Sequence, residues 1–280
     1  APSEMCIRDR DKIMNNYSET MIAVLLARVK NSNISKEKYP DKLIDKLNHT
    51  HKHFEFLEHK SKGMFSRSIL VRSLYFIDSI VKFTGEQIIV LGSGLDTKAI
   101  EYADKDVDIY YVDHPKSIEF SRGLLKKMNR SNLKFISFDL QDDATYLLQI
   151  LNEAGIDKFK DTLVIWEGSS YYINPKSSLY LISSLINYFK KFKFYFDILC
   201  SGAYQNSSKG ANENIKYLRN INEKWVGHLN YKDIEDIVYS NKEYKISSKE
   251  FDRSHIELKY LNENYLFSNQ MSFIEIEKEF

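Results

Sequence analysis

Cysteine, proline and glycine are all scarce in this chain of 280 residues, at two, four and ten. The two cysteines, Cys6 and Cys200, show no paired spacing, which excludes a disulfide-built fold and points to a reducing, cytoplasmic setting. So few glycines and prolines exclude collagen-like and low-complexity classes. Charge of one sign is also missing: 40 Lys plus Arg stand against 39 Asp plus Glu, so no chain-wide field selects nucleic acid or an anionic membrane. The most apolar stretch, residues 21–27, stops at Arg28, far short of the roughly 20 residues a membrane span requires. Residues 1–10 lack the apolar core of a signal peptide. Residues 1–10, APSEMCIRDR, put Arg8 and Arg10 in a chain otherwise rich in lysine, and are expected to be an assembly scar outside the fold.

What is present, 43% hydrophobic and 28% charged residues, is the balance of an ordinary globule. One α/β domain over residues 11–280 is expected, a helical cap over 11–85 and a core over 86–280, as a monomer or homodimer. Apolar positions Met14, Tyr17, Met21, Val24, Leu25 and Val29 recur at helical spacing. Residues 41–57 are helical in period, and Gly63 breaks the pattern before a third helix that carries Arg72. The texture then changes to short apolar runs at 87–91, 108–112, 133–138, 162–166 and 192–199, separated by stretches long enough for crossover helices. Such alternation predicts a mostly parallel, Rossmann-like sheet. After a polar, Asn-rich stretch at 205–214, a helix over 231–239 and strand-like runs to 280 suggest an antiparallel pair at the sheet edge.

The strongest chemical signal is the run from Ile88 to Leu91 entering Gly92-Ser93-Gly94-Leu95-Asp96-Thr97. Glycines there let backbone approach a ligand that a Cβ would block. Nineteen positions beyond Gly94, Asp113 closes the next strand, where an acid binds ribose hydroxyls. Loop and acid together imply a bound nucleoside. The dinucleotide fingerprint wants a third glycine, but Thr97 stands there, which disfavours pyrophosphate. S-adenosylmethionine (SAM) has no phosphate and fits a looser loop. A NAD-type oxidoreductase and a SAM-binding module without catalysis are the alternatives.

Arg67-Ser68-Ile69-Leu70-Val71-Arg72, then Gly-Ser-Gly-Leu-Asp-Thr, Val112-Asp113-His114-Pro115, Asp139-Leu140 and Trp166-Glu167-Gly168-Ser169-Ser170-Tyr171-Tyr172-Ile173 occur in order. Together they resemble the leucine carboxyl methyltransferase family and its bacterial O-methyltransferase relatives, over about residues 17–200. The resemblance implies a class I methyltransferase fold that binds SAM. It implies that Arg72 pairs with the SAM carboxylate, and that Gly92, Gly94 and Asp96 form the loop around its methionine part. Asp113 would then bind the ribose, and Asp139 and Leu140 would frame the adenine. Glu167 would face the amino group or the substrate mouth, and Tyr172 the methyl donor. Glu167 and Tyr172 are thus the catalytic candidates. Ile173, Ser169 and Ser170 depart from the family pattern and border the acceptor site. Arg28 is a candidate for the family's N-terminal basic contact.

A carboxylate acceptor is already ionised at neutral pH and needs no base, whereas a hydroxyl needs one. Glu-Gly follows the fourth strand, where amino-directed enzymes often keep an Asp-Pro-Pro-Tyr-like box, so oxygen is the expected acceptor atom. The acceptor is expected to be a carboxylate, or else a hydroxyl, on a small metabolite or a protein C-terminus. No metal site is expected: His49, His51, His53 and His59 cluster without cysteine or carboxylate partners, and His114 and His228 are only candidate bases.

Overall fold

The computed structural model describes residues 19–47, 52–128, 130–199, 209–221, 223, 225–241, 243–250 and 271–278. Cys6, Cys200, His49, His51 and residues 1–10 lie outside them. Four helical segments precede the fifth helix: α1 (Glu19–Lys30), α2 (Ser32–Ser35), α3 (Tyr39–Ile44), α4 (Lys52–Lys60) and α5 (Met64–Val81). The single helix expected over 41–57 is instead α3 and α4, because the chain turns at Asp45 and Lys46 after α3. Gly63 at φ +85° starts α5, a conformation costly for residues with a Cβ.

Strand β1 (Gln87–Leu91) is buried along its whole length, as expected of a strand covered on both faces. The one polar side chain in it is satisfied: Gln87 donates to Asp157 O and Thr162 Oγ1 and accepts from Asp157 N. After it come α6 (Lys98–Tyr102), β2 (Asp108–Asp113), α7 (Pro115–Leu125), β3 (Leu133–Ser137), α8 (Ala144–Glu153), β4 (Thr162–Trp166), α9 (Pro175–Tyr188) and β5 (Phe192–Leu199). Proline occupies the first turn of α7 and α9, where its missing N–H costs nothing, and Asn174 caps α9 by accepting from Lys176 N. Helices α10 (Lys209–Asn220) and α11 (Tyr231–Tyr239) and strands β6 (Tyr244–Glu250) and β7 (Met271–Lys278) complete the described chain. Helix α10 lies partly where composition suggested only a polar stretch. Its buried Ile215 and Leu218, one turn apart, supply the apolar stripe that the asparagines obscure.

Among the described residues, seven strands form one sheet in the order β3-β2-β1-β4-β5-β7-β6. β1 to β5 pair in parallel, and β7 is antiparallel to both β5 and β6. The Rossmann-like sheet with its antiparallel edge pair is therefore as expected. Strand order reverses between β1 and β4, and ligands bind at such a point, beyond the carboxyl ends of the strands. Leu91 pairs with Trp166, so Gly92 and Glu167, the residues that follow, emerge side by side. Helix α5 packs on the far half of the sheet: the Tyr75 ring stacks on Phe273 of β7 at 3.8 Å, and its hydroxyl donates to Glu275 at 2.8 Å. Ser68, Ile69, Tyr75 and Phe76, at i±3 and i±4 from Arg72, are all buried, so Arg72 sits on the inward face of α5.

Candidate active site

A cavity of about 1050 Å³ opens over the carboxyl ends of β1 to β4. At its floor the loop after β1 needs both glycines. Gly92 and Gly94 have φ +60° and +48°, and a Cβ on Gly92 would fall 2.1 Å from Ser169 Oγ. Asp113, at the end of β2, latches this loop: its Oδ2 accepts from Gly94 N at 2.6 Å and its Oδ1 from His114 N at 2.7 Å. Burial pushes its carboxyl above the ordinary value, and these two amides oppose the rise. Each oxygen keeps a second lone pair for a ligand hydroxyl. Asp139 and Leu140, beyond β3, also line the cavity, and Asp139 Oδ1 accepts from Gln141 N at 3.0 Å.

On the β4 side, Gly168 at φ +69° lets the Arg72 guanidinium lie flat against the backbone, its atoms 2.7 to 2.8 Å from where a Cβ would stand. Arg72 Nε donates to Glu167 Oε1 at 3.1 Å, and Nη1 donates to the Tyr171 hydroxyl at 2.9 Å and lies 3.9 Å from Asp197 Oδ2. No described residue hydrogen-bonds its Nη2. Tyr172 lines the cavity next door, and burial raises its hydroxyl well above the ordinary value, so it stays neutral.

Two charged residues not singled out from the sequence support this side, Lys98 in the wall and Asp197 behind it. Lys98, 2% exposed, bridges Asp96 Oδ2 at 2.5 Å and Glu167 Oε2 at 3.0 Å. Asp96, expected among the cofactor contacts, reaches the cavity but is engaged by Lys98 through both oxygens, since Oδ1 also accepts from Lys98 N at 2.6 Å. Burial works to raise the Asp96 carboxyl, but Lys98 and then Arg28 hold it below its ordinary value. Asp197, fully buried on β5, accepts from Gly168 N at 2.6 Å. Burial pushes its carboxyl up to about 6 against the pull of Arg72. Both residues carried a signal: Asp197 is the one acid in the apolar run FKFYFDIL, and Lys98 follows Thr97 at the start of a buried helix.

Arg28, the candidate basic contact, is held by the protein itself. Its Nε and Nη2 donate to Glu37, Nη1 to Leu95 O at 3.0 Å, and Nη2 also to Thr97 Oγ1. It thereby ties α1 to the glycine loop. Buried charges of this kind persist only when paired and hydrogen-bonded, and Arg28, Lys98 and Arg72 interleave with Glu37, Asp96, Glu167 and Asp197 to meet that condition. Of the histidine cluster, His53 bonds the Tyr217 hydroxyl at 2.5 Å. Among the described residues no three His, Cys, Asp or Glu side chains gather as a metal-holding group, and no helix is long and apolar enough to cross a membrane.

Solved structures share this fold at low identity. A DUF574 family protein from Streptomyces avermitilis aligns with a TM-score of 0.63 at 10% identity, covering 81% of this chain and 90% of that one. A protein from Thermobifida fusca, provisionally named a methyltransferase, aligns with a TM-score of 0.60 at 14% identity, covering 91% and 94%. In sequence, a Mycolicibacterium paratuberculosis protein provisionally named S-adenosyl-L-methionine-dependent methyltransferase is 30% identical over 133 residues. That match takes in 46% of this chain and 41% of the relative, so the chain spans about two fifths of the relative's length. The family model described as leucine carboxyl methyltransferase matches residues 11–186, from before α1 into α9 and through every strand-end residue of the cavity. On that match the chain belongs to the leucine carboxyl methyltransferase family.

Proposed function

We propose that this chain is a SAM-dependent O-methyltransferase acting on a small acceptor, with its helical segments and sheet working as one domain. The observation that carries the reading is the pairing, in one cavity, of Asp113 latched to the glycine loop with a buried arginine-carboxylate pair on the β4 side. The donor set suits the cofactor. Ser169 Oγ is buried in the wall without a described hydrogen-bond partner, and such an atom calls for one; Arg72 Nη2 likewise has no described partner and is left for a ligand carboxylate.

In this reading Asp113 accepts from the ribose hydroxyls, and Asp139 with Leu140 frames the adenine. Arg72 Nη2 meets the carboxylate, Glu167 the amino group, and the backbone of Gly92 and Gly94 the methionine chain. Bound there, SAM supplies an electrophilic methyl group on a sulfonium. The protein's contribution is alignment and exclusion of water: Tyr172 stands beside the transfer path, and the helices over the strand ends keep solvent away.

A nucleotide-dependent oxidoreductase fits less well. Pyrophosphate sites use free N–H groups at a helix start, but Asp96 already places a carboxylate on Lys98 N at the start of α6. Thr97, where a third glycine belongs, is buried and bonded to Arg28. Calorimetric titration with SAM and with NAD tests the reading. SAM should bind in the micromolar range or tighter and NAD not detectably, and the reverse order would sink it.

A further inference from the structure

The cavity wall is divided by chemistry. Strand ends contribute Asp113, Asp139 and Glu167, whereas the segments packed over them contribute Val24, Leu57, Phe65, Ile69, Leu218 and Trp225. Leu57, Ile69 and Leu218 are at most 5% exposed and Val24, Phe65 and Trp225 are half-buried, so this half is apolar and largely screened from water. The cations that reach the cavity from α1, α5 and α6 are spoken for. Arg28 is bound to Glu37, Arg72 to Glu167, and Lys98 to Asp96 and Glu167. Lys116 stands on the first turn of α7, beside Asp113 at the nucleoside end.

Among the described residues the apolar half carries one acid, Glu223. It receives Thr20 Oγ1 at 3.0 Å and Thr20 N at 3.4 Å, and no described cation pairs with it. The neutral Tyr172 hydroxyl lies at the same end, next to Thr20 and Trp225. An anionic acceptor here would leave water for apolar walls and face a like charge, with none of the described cations at this end to meet it.

We propose that this chamber admits an uncharged, mainly apolar molecule presenting a hydroxyl, and that Glu223 is the residue that rejects carboxylates. The inference rests on the SAM reading of the polar half and narrows its acceptor, away from the carboxylate that the sequence favours. Repulsion of the wrong ligand is a common source of specificity, and one half-buried like charge against apolar walls supplies it.

The test uses the full chain saturated with S-adenosylhomocysteine, titrated calorimetrically at pH 7 with 2-naphthol and 2-naphthoate, which share a ring system and differ in charge. 2-Naphthol should bind about tenfold or more tightly than 2-naphthoate, the scale expected for a charge buried without a partner. Glu223→Gln, which keeps an oxygen for Thr20, should shrink that ratio severalfold, and Glu223→Lys should invert it. Equal or tighter naphthoate binding, binding of neither compound, or an unchanged ratio in Glu223→Gln overturns the proposal. Failure of the wild-type chain to bind S-adenosylhomocysteine at all would instead overturn the reading beneath it.

Discussion

Replacing Lys98 by methionine removes one charge from the buried network while keeping most of the side-chain length. Its Nζ is the link between Asp96 and Glu167, at 2.5 and 3.0 Å, and its side chain is 2% exposed, so no water stands ready to replace it. Breaking a buried ion pair from one side costs roughly 3–5 kcal/mol, because the abandoned charge cannot be solvated. Here the cost belongs near the lower end, about 3 kcal/mol: Asp96 keeps its bond from Lys98 N, and Glu167 keeps Arg72. Urea unfolding followed by circular dichroism should show this loss, with a fall in melting temperature of roughly 6–12 °C. Adding Asp96→Asn to Lys98→Met should recover about 1 kcal/mol or more, since it removes an acid left without its cation. A change below about 0.5 kcal/mol for Lys98→Met would refute the claim that Lys98 holds the two carboxylates together.

Three further outcomes follow from the same geometry. Asp113→Ala should weaken S-adenosylhomocysteine binding by about 1–3 kcal/mol, the cost of unpaired ribose hydroxyls, and unchanged affinity in a folded variant would remove Asp113 from the site. Arg72→Lys should cost about 1.5–3 kcal/mol in SAM affinity, because an ammonium cannot serve Glu167, Tyr171 and a ligand carboxylate as a fork does; equal dissociation constants would contradict this. Asp197 has a folded-state pKa of about 6, raised from 3.8 by burial, so the folded form holds its proton more tightly. Its ionisation therefore costs stability as pH rises from about 4 to 6. Asp197→Asn should raise the unfolding free energy at pH 7.5, by on the order of 2–3 kcal/mol at most, with the gain fading by pH 4; the opposite pH trend would refute the raised pKa.

The strands were legible wherever burial is continuous. The runs at 87–91 and 162–166 coincide with β1 and β4, buried at every position because both faces of the sheet are covered, and the run at 192–199 coincides with β5, where only Lys193 and Tyr195 are half-buried. Asp113 was legible from its offset to the glycine loop, and the structure joins the two directly. Arg72 entered through family resemblance, although Ile69, Tyr75 and Phe76 at i−3, i+3 and i+4 already marked an inward-facing cation. Lys98 and Asp197 were missed because their meaning lies in residues distant along the chain: Lys98 meets Glu167, and Asp197 meets Arg72 and Gly168. Single-sequence periodicity cannot pair such positions. Glu223 lies in the tail, where no motif marks it, and only the packing of that segment against Thr20 brings it to the cavity.

The central claim is that one cavity holds the cofactor between Asp113 and Arg72. A crystal structure of the chain with S-adenosylhomocysteine tests it most directly. The account predicts ribose hydroxyls on the Asp113 carboxylate, adenine against Leu140 beside Asp139, and the ligand carboxylate on Arg72 Nη2 while Nε stays on Glu167. A ligand bound elsewhere, or in this cavity with its carboxylate away from Arg72 and its ribose away from Asp113, would contradict it.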